Sequence, residues 1–249
     1  MGRLKGKCAF VTGAGGGIGR AIALAFAEAG ARVAVVDIDE QLARATAAAL
    51  DGGRGSALVC DVADRRAVLA AMAAFTDATG GLDILVNNAV FFHYAPLVEM
   101  PEAVVDRMID VGLKGALWSL QAATPHLIAR GGGAVINLSS IAVSFAIRNA
   151  AVYSSIKGVL DTLTRQQAVE LAAHGIRVNA LAPGTVVTPG ASTVIDAPGF
   201  EARRQRTPLR RLATAEEIAA AAVFLASDEA SSIAGVTLKI DGALTIAGP

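Results

Sequence analysis

Cys8 and Cys60 are the only cysteines in this chain of 249 residues. Each falls in an apolar segment expected to form a buried strand, where cysteine behaves as a small hydrophobe, so no disulfide is expected and a cytoplasmic location fits. Net charge is missing too. The 22 basic side chains are matched by 22 acidic ones, which leaves no electrostatic footprint for nucleic acid or an anionic membrane surface. Long hydrophobic runs are absent. Hydrophobic residues make up 53% of the chain, but charges and glycines interrupt them well short of the ~20 residues a membrane span needs. The basic start, Met1 to Lys7, leads into a short apolar run and a glycine-rich turn, so no signal peptide is read. What remains is a soluble protein acting on a small molecule. Residues 1–249 are expected to form a single domain, because α/β folds of this length are commonly undivided.

Short apolar runs alternate with helical patterns along the whole chain. Strands are expected at Cys8 to Val11, Arg32 to Val36, Ser56 to Cys60, Leu82 to Val86, Ala134 to Leu138, Ile176 to Leu181 and Thr237 to Ile240. Helices are expected at Arg20 to Gly30, Glu40 to Leu50, Arg65 to Ala78, Glu102 to Ile109, Lys114 to Ala129, from Tyr153 to about Ala173, and at Ala215 to Ala226 behind Thr214 as N-cap. That alternation predicts an α/β fold, a parallel sheet covered on both faces. From Gly190 to Pro208 the apolar periodicity lapses, which marks residues 190–208 as a lid over a site.

The chemistry-bearing residues fall at strand ends. Thr12 to Gly19 is a glycine-rich turn between a strand and a helix, where backbone N–H groups can meet a pyrophosphate at the positive end of the helix. Asp37 closes the second strand, placed to accept hydrogen bonds from ribose hydroxyls, or to cap the next helix together with Asp39. Asp61 follows the third strand, again as ligand contact or helix cap. Asn87-Asn88-Ala89 follows the fourth and suits either cofactor contact or a simple turn. Aromatics are scarce, at 4%, yet Phe91, Phe92 and Tyr94 cluster around His93 in the next loop, lining a pocket or packing the loop down. Ser140 sits at the tip of the fifth strand, able to donate to a carbonyl oxygen or to serve a turn.

Tyr153 and Lys157 stand four residues apart in an expected helix, hence about one turn apart on the same face. An ammonium about 4 Å from a phenol contributes roughly 4 kcal/mol at an effective dielectric of ~20, enough to draw the phenol toward neutral pH. A phenol so tuned can exchange a proton with an alcohol or carbonyl oxygen.

In this order the motifs resemble those of the short-chain dehydrogenase/reductase family over essentially the whole chain. Thr12 to Gly19 matches the T-G-x-x-x-G-x-G turn, Asn87-Asn88-Ala89 the start of N-N-A-G, and Tyr153 to Lys157 the Y-x-x-x-K motif, with Ser140 thirteen residues earlier and Pro183-Gly184 beyond. The resemblance implies a single-domain Rossmann-type doubly wound parallel sheet and an NAD(H)-dependent oxidoreductase interconverting a secondary alcohol and a ketone. It implies that Tyr153 is the general acid/base, that Ser140 orients the substrate oxygen, and that Lys157 holds the nicotinamide ribose and lowers the phenol's pKa. Cofactor contacts are implied for Gly13, Gly17, Ile18, Gly19, Asp37, Asp61, Val62, Asn88, Ala89, Tyr153, Lys157, Pro183, Gly184, Val186 and Thr188. Ile38 after Asp37, in place of a basic residue, points to NAD rather than NADP. No metal enters this reading. A homotetramer is implied, and Val159, Leu160 and Leu163 offer an apolar stripe for it.

Two departures from the family pattern stand out. Gly112 takes the place of the catalytic asparagine, and Val90 the place of the last glycine of N-N-A-G. The loss of the asparagine amide keeps a second reading open, a cofactor-binding sensor or scaffold with little catalysis, and behind it a lyase or epimerase that uses NAD transiently.

Overall fold

The computed structural model describes residues 2–247. Seven strands form one parallel sheet: β1 (Cys8–Thr12), β2 (Arg32–Asp37), β3 (Gly55–Val59), β4 (Ile84–Asn87), β5 (Gly133–Leu138), β6 (Ile176–Pro183) and β7 (Thr237–Ile240). Their order across the sheet is β3-β2-β1-β4-β5-β6-β7, which makes a Rossmann-type, doubly wound α/β domain. The chain leaves β1 toward one edge and returns to β4 on the other side, with Val11 between Val35 and Val86. A crevice therefore opens beyond the carboxyl ends of β1 and β4.

Alternation within the strands builds two cores. Ala9, Val11, Val33 and Val35 face one helical layer, whereas Cys8, Phe10, Ala34 and Val36 face the other, so the central strands read as unbroken apolar runs. Helices α1 (Gly17–Glu28) and, late in the chain, α8 (Ala215–Ala226) cover the first face with Ile22, Phe26, Ile218 and Ala222. On the second face lie α3 (Arg65–Thr79) and α5 (Gly115–Ala129), contributing Met72, Phe75, Leu120 and Leu127, and Phe75 meets Phe10 edge-on at 6.3 Å. A smaller cluster joins Met108 of α4 (Glu102–Ile109) to Val152 and Ile156 of α6 (Ala151–Leu171).

Helix starts follow local chemistry. Asp39 caps α2 (Glu40–Ala48) by accepting from the Leu42 N–H at 3.0 Å. The α3 cap is Asp64, which accepts from the Arg66 N–H at 2.8 Å. Asp61, the alternative from sequence, accepts from the Ala63 N–H at 3.0 Å and from Arg107, and leaves the helix cap to Asp64.

Three expectations change in detail. The helix expected from Lys114 is continuous with α4 through a π-helical turn, Asp110–Lys114, that holds Gly112. The segment without periodicity contains a short helical turn, Ala191–Thr193, and a full helix α7 (Ala197–Arg206), whose cap Asp196 accepts from the Gly199 N–H. None of its residues is fully buried, so no apolar stripe was there to read. On α6 Leu160 turns into its own core and Leu163 is half-buried, which leaves Val159 and Val169 as the exposed apolar positions. Of the apolar tail 243–249, the last two residues lie outside the described ones. No helix among the described residues is long and apolar enough to cross a membrane.

Candidate active site

Two adjoining cavities occupy the crevice. The larger, about 430 Å³, is walled by Gly13, Gly17, Ile18, Asp37, Asp61, Val62, Asn88, Ala89 and Thr188 among others. Gly13 adopts φ 63° where β1 turns into α1, and a Cβ there would lie 2.9 Å from the Ala89 Cα. Gly19 lines neither cavity. A Cβ on it would fall 2.1 Å from the Gly13 carbonyl oxygen, so its smallness lets α1 close on the turn. Asn88 holds that turn as well, its amide donating to the carbonyls of Thr12 and Gly13 at 2.9 Å. Gly16, before α1, offers no side-chain cap, and the first helical turn carries no acidic residue. The free N–H groups and positive end of α1 face a glycine floor, which fits a pyrophosphate.

Asp37 sits at the rim of this cleft. Its carboxylate accepts from the Gly15 N–H at 2.8 Å and the Asp39 N–H at 3.1 Å. Asp39 takes the cap role, and Asp37 pins the turn beside the cleft. At the far wall Asp61 pairs with Arg107 at 2.9 Å, a partner that no motif or spacing announces.

The smaller cavity, about 130 Å³, brings together Ser140, Tyr153 and Lys157 with Pro183, Gly184 and Val186, and shares Ile18, Asn88 and Thr188 with the cleft. Ser140, two residues past β5, accepts from the Ala142 N–H at 3.1 Å and hydrogen-bonds to the Tyr153 phenol. Tyr153 and Lys157 share a face of α6, with the ammonium 5.7 Å from the ring centre. Lys157 is 4% exposed, and its Nζ donates to the Leu138 carbonyl at 2.5 Å. Above the phenol, Phe92 and Tyr94 each place a ring centre 5.6 Å from that of Tyr153.

Burial dominates the electrostatics of the pair. It pushes the Lys157 ammonium down from 10.5 to about 8. It pushes the Tyr153 phenol up, opposed by the Ser140 hydrogen bond. The Lys157 ammonium donates to the Leu138 carbonyl and keeps its charge 5.7 Å from the Tyr153 ring centre.

The aromatic loop divides its residues among the walls. Tyr94 lines the catalytic cavity, Phe91 the cleft, Phe92 both, and His93 neither. Val90 belongs to both. Sequence reasoning missed Ile147, Val194, Ile195 and Arg203, which complete the cavity from loop and lid segments whose side-chain directions follow no period. Arg148, near the tyrosine in sequence, is not among the lining residues.

A family model described as enoyl-(acyl carrier protein) reductase matches residues 13–245. A D-threitol dehydrogenase of Mycolicibacterium smegmatis is 41% identical over 246 residues, 98% of this chain and 95% of that one. The chain belongs to the short-chain dehydrogenase/reductase family. A second relative of this short-chain dehydrogenase/reductase, the cis-4-hydroxycyclohexanecarboxylate dehydrogenase of Sinomonas cyclohexanicum, is 41% identical over 242 residues, 96% of each chain. Among solved structures, a 7α-hydroxysteroid dehydrogenase complexed with NADH and 7-oxo glycochenodeoxycholic acid superposes with a TM-score of 0.93 at 36% identity, covering 96% of this chain and 94% of that one.

Proposed function

We propose that this protein is an NAD(H)-dependent oxidoreductase that interconverts a secondary alcohol and a ketone, with Tyr153 as general acid/base. The observation that carries the reading is the convergence of Ser140, Tyr153 and Lys157 on one cavity that opens into a glycine-floored cleft. The relatives named above act, by their names, on a polyol, a ring hydroxy acid and a steroid. Their common chemistry is the oxidation of a carbinol.

A bound nicotinamide supplies or accepts the hydride. Gly13, Gly17 and Ile18 would hold its pyrophosphate, Asp37 the adenosine ribose, Asp61 and Val62 the adenine, and Lys157 the nicotinamide ribose. Asn88, Ala89, Pro183, Gly184, Val186 and Thr188 would wall the nicotinamide end, whereas Gly19 serves by packing. The Asp37 carboxylate repels a 2′-phosphate, which favours NAD over NADP. Ser140 donates to the substrate oxygen as charge develops there. Tyr153 passes that oxygen its proton during ketone reduction and takes it back during alcohol oxidation. Below about pH 8 Lys157 is an ammonium, and its charge favours the phenolate more strongly once water is excluded. Phe92 and Tyr94 help exclude it. Segment 190–208 would close the cavity as a lid, and copies of the chain would assemble as a homotetramer.

Titration with NADH and NADPH, followed by turnover of a ketone panel, tests both halves. NADH is expected to bind more tightly and to be oxidised, and Tyr153→Phe to cut kcat by roughly 10²–10⁴. Full hydride-transfer rate in that variant would reject the mechanism. Tight binding without turnover would favour the sensor reading, for which the packing at Gly112 speaks: Ile156 stands 3.0 Å from where a Cβ would begin.

A further inference from the structure

The wall of the catalytic cavity carries one cation outside the catalytic set. Arg203 of α7 lines it, half-buried, near Tyr94, Ile147 and Ile195. Two of its neighbours, Arg204 and Arg211, differ. Arg204 holds Glu201 through two contacts of 2.6 and 2.7 Å, and Arg211 holds Glu217 at 2.7 Å. Arg203 donates only to the Gly199 carbonyl, at 3.0 Å, and no carboxylate among the described residues comes within ion-pair reach of it. A guanidinium has five donors in a planar fork that matches a carboxylate. Here most of that fork is open, on a half-buried residue that lines the cavity.

The position relative to the chemistry is defined by Tyr94. Its ring lies 5.6 Å from that of Tyr153, and the Arg203 charge is close enough to oppose the rise that burial imposes on its phenol. Arg203, Tyr94 and Tyr153 thus follow one another along the wall. Most of the remaining surface is apolar, with Val90, Phe92, Ile141, Ile147, Val194 and Ile195, and Ser139, Thr185 and Thr188 add polar atoms to it. Such a wall offers a polyol few partners for its hydroxyls against their desolvation, while it suits a hydrocarbon frame. Its scale suits a small frame: the cavity measures 130 Å³, against about 150 Å³ for one that takes a benzene.

We propose that the substrate is a small hydroxy or oxo carboxylic acid with an apolar frame of about one six-membered ring, its carboxylate held by Arg203 while its carbinol meets Ser140 and Tyr153. The proposal rests on the oxidoreductase reading for its chemistry. Arg203 acts as a specificity residue and takes no part in hydride or proton transfer.

The test measures binding and turnover on the NADH- or NAD-loaded protein. For binding, cyclohexanecarboxylate is compared with cyclohexanecarboxamide, neither of which can be oxidised at a carbinol. For turnover, ring hydroxycyclohexanecarboxylates are compared with cyclohexanol. Wild type is expected to favour the acid at least tenfold over the neutral partner in both. Arg203→Gln is expected to remove that ratio, chiefly through KM, Arg203→Lys to keep part of it, and the exposed neighbour Arg204→Gln to keep all of it. A merely structural role would weaken acid and neutral ligands alike and leave the ratio intact. Equal treatment of acid and neutral ligand by wild type, or an unchanged ratio in Arg203→Gln, would overturn the proposal. Cyclohexanol turnover in that event would leave the oxidoreductase reading standing. Arg203-dependent binding of cyclohexanecarboxylate with no alcohol oxidised would support the carboxylate site and reject the oxidoreductase reading instead.

Discussion

Lys157 is held in the folded chain at a cost. Its ammonium is 4% exposed and hydrogen-bonds one carbonyl, and burial brings its pKa from 10.5 to about 8. The unfolded chain therefore binds more protons than the folded one between about pH 8 and 10.5, so this group's contribution to stability rises with pH across that window. Below it the penalty is at its full size, on the order of 3 kcal/mol. Lys157→Met is expected to unfold at higher denaturant than wild type at pH 7 and to lose much of that advantage by pH 10, measured on the protein without cofactor. Tyr153 acts with the opposite sign, since its raised phenol keeps a proton that the unfolded chain sheds above pH 10. Gly112 is limited by space. Because Ile156 would sit 3.0 Å from a new Cβ, Gly112→Asn is expected to cost about 1–3 kcal/mol in chemical denaturation. Ile156→Ala, which removes the Cγ2 nearest the new Cβ, should cost less in that chain than in wild type. A neutral Gly112→Asn variant would show that the π-helical turn can shift to admit the side chain.

Helix α8 shows how much an element owes to its first residue. Thr214 accepts from the Glu217 N–H at 3.2 Å, and the Glu217 carboxylate accepts in return from the Thr214 N–H at 2.9 Å, a reciprocal capping box. The helix then buries Ile218, Ala222 and Leu225 against the first face of the sheet. Thr214→Ala is expected to cost about 1 kcal/mol in denaturant unfolding with no change in cofactor affinity. A change in affinity would mean that α8 is coupled to the cleft. Helix α7 is the contrasting case. It is started by Asp196 but covers no core, so its place over the cavity comes from its two connections and from Arg203 rather than from an apolar face.

At the scale of the molecule, exposed apolar side chains are spread over the surface, and some of them lie on α6 and around β7. Val159 and Val169 are 44% and 79% exposed on α6, and Leu238 and Ile246 are 37% and 80% exposed at β7 and beyond it. Single exposed aliphatics are ordinary, but those on a long helix and an edge strand suit association of like surfaces. The proposed tetramer predicts a single species near four times the 25.2 kDa chain mass in sedimentation at micromolar protein. A monomer there would reject it. Val169→Glu is expected to shift the distribution toward smaller species.

Strand periodicity, glycine turns and caps specify the sheet, because each depends on residues within a few positions of one another. Asp39, Thr214 and the strands from Cys8 to Ile240 were legible for that reason. So was the pairing of Tyr153 with Lys157, which the helical repeat alone places on one face. Tertiary structure decided what long-range packing controls. It gave Asp61 to Arg107, assigned Gly19 to packing, turned Leu160 inward, and spent the Lys157 ammonium on the Leu138 carbonyl. It also carried Arg203 to a cavity walled in part by Val90, Phe92 and Tyr94, more than a hundred residues away in sequence. A local pattern records how the chain turns in the next few residues, whereas the electrostatics of a cavity depend on groups that meet only once the whole chain has closed around it.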